Sequence, residues 1–156
     1  MRAVIRRMER TRVTSRGSIV AIVGTGLIVY IGLCKEDSTK DIDYLADKVL
    51  NIKVYGGAND TDPWTKSVMD KGYEVLVISQ VQLYNKFKGG TPTFNDAMDL
   101  YKAPNMFRDF VAALRKIYSE EKVKEGKFQG PEIVDEELVN ALTFNIETPK
   151  FTKDEA

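Results

Sequence analysis

The sequence has no histidine and a single cysteine, Cys34. Without histidine, no Ser-His-Asp or Cys-His nucleophile system can be assembled within the chain. Histidine-ligated zinc is excluded too, and one thiolate cannot build a cysteine cage, so neither a metal nor another cofactor is expected. A lone cysteine makes no intrachain disulfide, which fits a reducing compartment, and a cytoplasmic location is expected. Net charge is also absent, because 23 Lys plus Arg balance 23 Asp plus Glu. With 156 residues, 43% of them hydrophobic and 29% charged, the chain suits one globular domain. That composition excludes disordered and collagen-like classes.

The charge balance is uneven along the chain. Met1–Arg16 holds six arginines against one glutamate, whereas Pro131–Ala156 holds seven acidic residues against two lysines. A basic end of this kind can face phosphates, an acidic partner or only solvent. The 17 residues of Ser18–Cys34 carry no charge and follow the arginines, a pattern shared with signal anchors. The run is short of the roughly 20 residues a spanning helix needs. Gly24-Thr25-Gly26 divides it, and its β-branched residues favour strands. It therefore reads as two core strands, Ile19–Val23 and Leu27–Leu33, with no membrane segment. The glycine pair lacks the third glycine and the helix of a nucleotide-binding loop.

Other strands are expected at Arg2–Met8, Thr11–Ser15, Asn51–Tyr55, Tyr73–Leu83, Val123–Phe128 and Leu142–Ile146. Ser38 or Thr39 can cap a first helix, with Asp41 and Asp43 in its first turn. Ile42, Leu45, Ala46, Val49 and Leu50 would form its apolar face. A second helix begins near Pro104, with Phe107, Phe110, Val111, Leu114, Ile117 and Tyr118 on one face. Gly56–Trp64 and Tyr84–Phe94 read as loops. The sum is an α/β chain: one compact domain over 1–148, mainly antiparallel sheet or barrel with two main helices, and a polar tail over 149–156.

Two segments stand out chemically. Ser79 and Gln80 interrupt the strongest apolar strand, and burying their polar groups unpaired would cost roughly 1–3 kcal/mol each. The next loop interleaves Lys86, Lys88, Gly89 and Gly90 with Tyr84, Phe87 and Phe94. Lysines attract phosphate and aromatics stack on bases, so this loop suits a single-stranded nucleic-acid end better than a duplex. Each segment could equally be a strand running into solvent or an ordinary solvated loop.

Several pieces in order resemble the D-aminoacyl-tRNA deacylases, over Met1 to about Thr148. Met1-Arg2-Ala3-Val4-Ile5 with Arg7 resembles the family's opening strand, and Gly26-Leu27-Ile28-Val29 with Gly32 its second apolar strand. Asp43–Asn51 resembles its first helix. Ser79-Gln80-x-x-Leu83-Tyr84 is similar to the motif S-Q-F-T-L-Y, and Lys88-Gly89-x-x-Pro92-x-Phe94 to K-G-x-x-P-x-F. The resemblance implies a homodimeric α/β fold with its sites at the dimer interface. It implies hydrolysis of the ester that joins a D-amino acid, or mischarged glycine, to the terminal adenosine of tRNA, with proofreading of translation as the role.

In that family, main-chain amides stabilise the ester carbonyl and the 2′-hydroxyl of tRNA assists. Ser79, Gln80, Val81 and Gln82 are thus the candidate catalytic positions. Arg7, Lys88, Gly89, Pro92, Phe94, Asn140 and Ala141 are the candidate substrate-binding ones. Val81 and Gln82 replace the family phenylalanine and threonine. Asn140-Ala141 falls, without gaps, where the motif N-x-G-P-V-T has a glycine–cis-proline pair supplied by the partner subunit. Pairing Leu138-Val139-Asn140 with the motif's start instead deletes that pair. In either alignment, altered selectivity is expected. The alternative reading is an inactive member that binds tRNA or DNA, of the DNA-unwinding-element-binding type. A small dimer with an unrelated partner is the third.

Overall fold

The computed structural model describes residues 1–57, 62–130, 132–137 and 142–151. Ten strands and three helices follow one another along the described chain. The strands are β1 (Arg2–Met8), β2 (Arg10–Ser15), β3 (Ser18–Val23), β4 (Gly26–Gly32), β5 (Glu74–Ser79), β6 (Lys86–Lys88), β7 (Thr91–Thr93), β8 (Val123–Glu125), β9 (Glu132–Glu137) and β10 (Thr143–Glu147). The helices are α1 (Thr39–Asn51), α2 (Val68–Lys71) and α3 (Ala103–Ile117). The main sheet has the order β10-β1-β4-β5-β8, a second sheet the order β3-β2-β9, and β6-β7 is a hairpin. Pairing is antiparallel except between β4 and β5 and between β5 and β8.

Both faces of the main sheet are covered, which is why β4 and β5 read as unbroken apolar runs. Leu27, Val29 and Ile31 of β4 and Val75 and Val77 of β5 pack with Ile42, Leu45, Val49, Phe107, Phe110 and Leu114 of the helices. The alternate residues Ile28, Leu76 and Ile78 join Met8, Val13 and Val23 on the opposite face. The period of two thus sorts one strand into two cores. At Gly26 a side chain would lie 1.8 Å from the Glu74 carbonyl oxygen, so only glycine lets these strands start so close.

Ser38 is the cap of α1, and the Asp41 carboxylate accepts from its backbone N–H at 2.9 Å and its hydroxyl at 3.1 Å. Asp41, not Asp43, supplies the first-turn acid. Asp41 also accepts from the buried Thr148 hydroxyl. The Met1 ammonium, itself buried, donates to Asp37 and to Thr148, each at 2.6 Å. Beyond Thr148, the Phe151 ring meets Tyr44 edge-on at 6.3 Å.

Several expectations are corrected. β3 is not a core strand in the protomer: it lies at a sheet edge, with Ile19 58% and Ile22 53% exposed. Asn51 ends α1, and Tyr55 makes only an isolated bridge to Lys66, so no strand spans Asn51–Tyr55. The long strand stops at Ser79, because Val81–Leu83 turn into a 3-10 helix. The expected loop Tyr84–Phe94 contains the β6–β7 hairpin. Strand β8 ends at Glu125, short of Phe128, and Ile117 is 49% exposed at the end of α3. β9, whose acidic sequence hid it, runs beside β2 with Arg10 opposite Glu137 and Arg12 opposite Asp135. The basic and acidic ends of the chain are therefore each other's neighbours.

Candidate functional site

The feature that ends β5 is a tight turn. Gln80 N–H still donates to the Ile31 carbonyl at 2.7 Å, as the strand's ladder would require. The chain then curls into the 3-10 helix Val81–Leu83, closed by Leu83 N–H to Gln80 C=O and Tyr84 N–H to Val81 C=O, each at 3.2 Å. A helical turn leaves its first N–H groups without intrahelical partners. Here those are the groups of Val81 and Gln82. Ser79 Oγ accepts from Gln129 N–H at 3.1 Å, which ties the strand end to the loop before β9. Gln80 Nε2 donates to Gln82 Oε1 at 3.2 Å, and Asn85 Nδ2 donates to the Gln82 carbonyl at 2.7 Å. The polar side chains that interrupt the apolar run are thus each bonded, Ser79 to the loop before β9 and Gln80 within the turn.

Gly32 is the seat of this turn. A side chain there would stand 2.7 Å from Leu83 Cβ, 3.2 Å from Tyr84 Cδ2 and 3.3 Å from the Gln80 carbonyl oxygen. Leu83 and Tyr84 therefore rest directly on the β4 backbone. Tyr84 is buried; burial and then the nearby Asp37 carboxylate push its hydroxyl well above its ordinary value, so the phenol stays neutral. A cavity of about 510 Å³ lies alongside, with Tyr84, Cys34, Asp37, Lys86 and Asp96 among its walls.

The β6–β7 hairpin leaves the turn after Asn85. Gly89 has φ of 61°, which a two-residue hairpin connection with Gly90 requires and which glycine adopts without strain. Phe87 is 70% and Phe94 41% exposed. Lys86 and Lys35 both pair with Asp96, whose carboxyl is held below its ordinary range chiefly by the Lys86 hydrogen bond. Lys88, Gly89 and Pro92 lie in the hairpin and Phe94 just after it, so these four follow Ser79–Gln82 along the chain.

Arg7 is placed elsewhere. The register sets Arg2 opposite Gly32 but Arg7 opposite Leu27, five residues away and roughly 16 Å along the strand. There Arg7 Nη1 donates to the Val54 carbonyl at 2.8 Å. Asn140 and Ala141 lie outside the described residues; their neighbours are held near Arg7. The Glu137 carbonyl accepts from Glu9 N–H at 2.8 Å and the Leu142 carbonyl from Arg7 N–H at 3.2 Å. Sequence reasoning missed Arg2 and underused Gly32 and Tyr84. Nothing in a strand pattern shows which arginine of the first strand reaches the turn.

Among the described residues, no group of three or more His, Cys, Asp or Glu could hold a metal, and no helix is long and apolar enough to cross a membrane. Comparison with known proteins matches residues 4–141 to the family described as D-Tyr-tRNA(Tyr) deacylase. D-aminoacyl-tRNA deacylase 1 of Bos taurus is 37% identical over 149 residues, covering 96% of this chain and 71% of that protein. The D-aminoacyl-tRNA deacylase of Drosophila melanogaster is 35% identical over 150 residues, covering 96% and 94%. A solved structure described as c-Myc DNA Unwinding Element Binding Protein superposes with a TM-score of 0.91 at 35% identity, over 96% of this chain and 100% of that one. With a family match across most of its length and relatives above 30% identity along nearly all of it, the chain belongs to the D-Tyr-tRNA(Tyr) deacylase family.

Proposed function

We propose that the protein hydrolyses the ester bond of D-aminoacyl-tRNA in the cytoplasm, releasing the free amino acid and tRNA. The observation that carries this reading is the turn at the end of β5, seated on Gly32, whose first N–H groups belong to Val81 and Gln82. As water adds to the ester carbonyl, negative charge grows on the carbonyl oxygen. Fixed N–H donors aimed at that oxygen favour the transition state over the ground state. The terminal 3′-oxygen then leaves with a proton, and the neighbouring 2′-hydroxyl of the substrate is a suitable relay in a chain without histidine. Ser79 and Gln80 hold the turn, while Phe87 and Phe94 offer exposed rings for the terminal adenine and Lys88 a charge for phosphate.

The working unit in this reading is a homodimer. Ile19, Ile22 and Ile133, at 58%, 53% and 66% exposed, give the β3-β2-β9 sheet apolar surface that a second copy can cover. Glu137 and Leu142 lie at the Arg7 end of β1, away from their own chain's turn. Whether Asn140-Ala141 replaces the family's glycine–proline pair or the pair is deleted, discrimination between D- and L-substrates is weaker than a Gly-Pro pair would give. DNA is the less favoured partner, because three of the six N-terminal arginines are already engaged. Arg2 donates to the Leu83 carbonyl, Arg7 to the Val54 carbonyl, and Arg6 pairs with Glu136.

Incubation with matched D- and L-aminoacyl-tRNA tests the reading. Release of D-amino acid well above the uncatalysed rate, with slower release of the L-form, is the expected result. No release from either, together with tight binding of DNA duplex, would replace this reading with the DNA-binding one.

A further inference from the structure

We propose that Arg2 is a positioning residue that clamps the Gln80–Tyr84 turn from its far side and so sets the aim of the Val81 and Gln82 N–H groups. The inference rests on the deacylase reading of that turn and adds a residue to it. Arg2 opens β1, between Gly32 of β4 and Glu147 of β10 in register. From there its guanidinium meets three groups at once. Nη1 donates to the Leu83 carbonyl at 2.9 Å, the guanidinium carbon lies 4.5 Å from the Tyr84 ring centroid, and Nε stands 3.2 Å from Glu147 Oε1.

Each contact has a reason in the local chemistry. The carbonyl of Leu83 is the last of the 3-10 turn, and the last carbonyls of a helical turn lack an intrahelical donor. The neutral ring of Tyr84 presents a negative face to a cation. Glu147 directs the planar fork from the neighbouring strand. The turn is thereby held at both ends: Gln80 N–H is fixed to Ile31 at its start and Leu83 C=O to Arg2 at its close, with Gly32 beneath. Val81 and Gln82 lie between the two anchors. Oxyanion donors act only when placed to a fraction of an ångström, so a slack anchor should cost turnover before it costs binding. Lysine keeps the charge but, as a point donor, cannot serve carbonyl, ring and carboxylate together.

The test uses the full chain carrying Arg2→Lys or Arg2→Gln, with Tyr84→Leu as a variant that removes the ring but leaves the Leu83 bond. Steady-state kinetics on D-aminoacyl-tRNA are read beside amide hydrogen exchange. Arg2→Gln is expected to lower kcat about tenfold or more with KM changed less than about twofold. Arg2→Lys should fall between, and so should Tyr84→Leu. Exchange at Leu83 and Tyr84 should quicken while the amides of β4 and β5 keep their protection. Unchanged kcat in both Arg2 variants overturns the proposal, and so does a fall matched by loosening of β4 and β5, which would mark a merely structural role. A wild-type protein that releases no amino acid overturns the deacylase reading instead. The exchange at Leu83 and Tyr84 then decides the clamp by itself, and unchanged exchange there would dispose of it.

Discussion

The two faces of the main sheet are finished differently. On the helical face, twenty-four buried residues among those described join both long helices to β1, β4 and β5, with Phe107 and Phe110 at most 1% exposed. On the other face the cluster has six buried residues among those described, and the sheet that covers it turns Ile19, Ile22 and Ile133 outward. The first face is complete within one chain. The second has apolar surface left over, which suits association rather than folding. Stability should therefore reside on one side and assembly on the other.

The largest effect expected from this contrast is on the helical face. Phe110→Ala should cost about 3–5 kcal/mol in denaturant unfolding, because it opens a cavity where nothing can collapse to fill it. A cost below about 1 kcal/mol would show that this face is loosely packed. Next comes Gly32→Ala at the end of the central strand β4. The added methyl meets Leu83 Cβ at 2.7 Å and must displace the turn, costing roughly 1–3 kcal/mol. Its activity loss should exceed what the change in unfolding midpoint explains, and equal losses would weaken the link between turn geometry and catalysis.

An acid titration of stability refines the helical face. Burial would raise the carboxyl of Asp41, but hydrogen bonds from Thr148 and Ser38, aided by the Met1 ammonium, outweigh it and hold it below its ordinary 3.8. Asp37, on the same ammonium, moves upward because burial dominates. As pH falls below about 4, the unfolded chain protonates at Asp41 before the folded one does, and stability declines. Asp37 works the other way, since the folded state takes up its proton first. Asp41→Asn should therefore flatten the acid limb below about pH 4, read from urea midpoints. A limb as steep as in the wild type would remove Asp41 from the account. The smallest stability effect belongs to the other face. Ile22→Ser should change protomer stability by no more than about 0.5 kcal/mol while shifting the sedimentation of the protein toward monomer. An unchanged oligomeric state would break the contrast.

The parts that were legible in the sequence had strong periodic or positional signals. The apolar stripe from Ile42 to Leu50 and the phenylalanines after Pro104 marked α1 and α3. The Ser79–Tyr84 pattern marked the candidate site by resemblance, but periodicity read it as strand up to Leu83, where the chain instead turns. β9 escaped because Glu132, Asp135, Glu136 and Glu137 give it no apolar alternation, and its pairing depends on Arg10 and Arg12 far away in sequence. β3 was misplaced because hydrophobicity marks a strand without showing that it lies at a sheet's edge. Arg2 was unreadable since its role depends on strand register, which only the folded sheet sets.

That register carries a consequence for how the chain is made. β1 lies between β4 and β10, with Arg2 opposite Glu147, and β2 pairs with β9. During synthesis the first strands emerge long before these last partners, so one edge of each stays open until nearly the whole chain has appeared. Such distant pairings are slow to close. The arginines scattered through β1 and β2 are then useful in a way unrelated to substrate: charged edges resist pairing with a neighbouring nascent chain while they wait for their own.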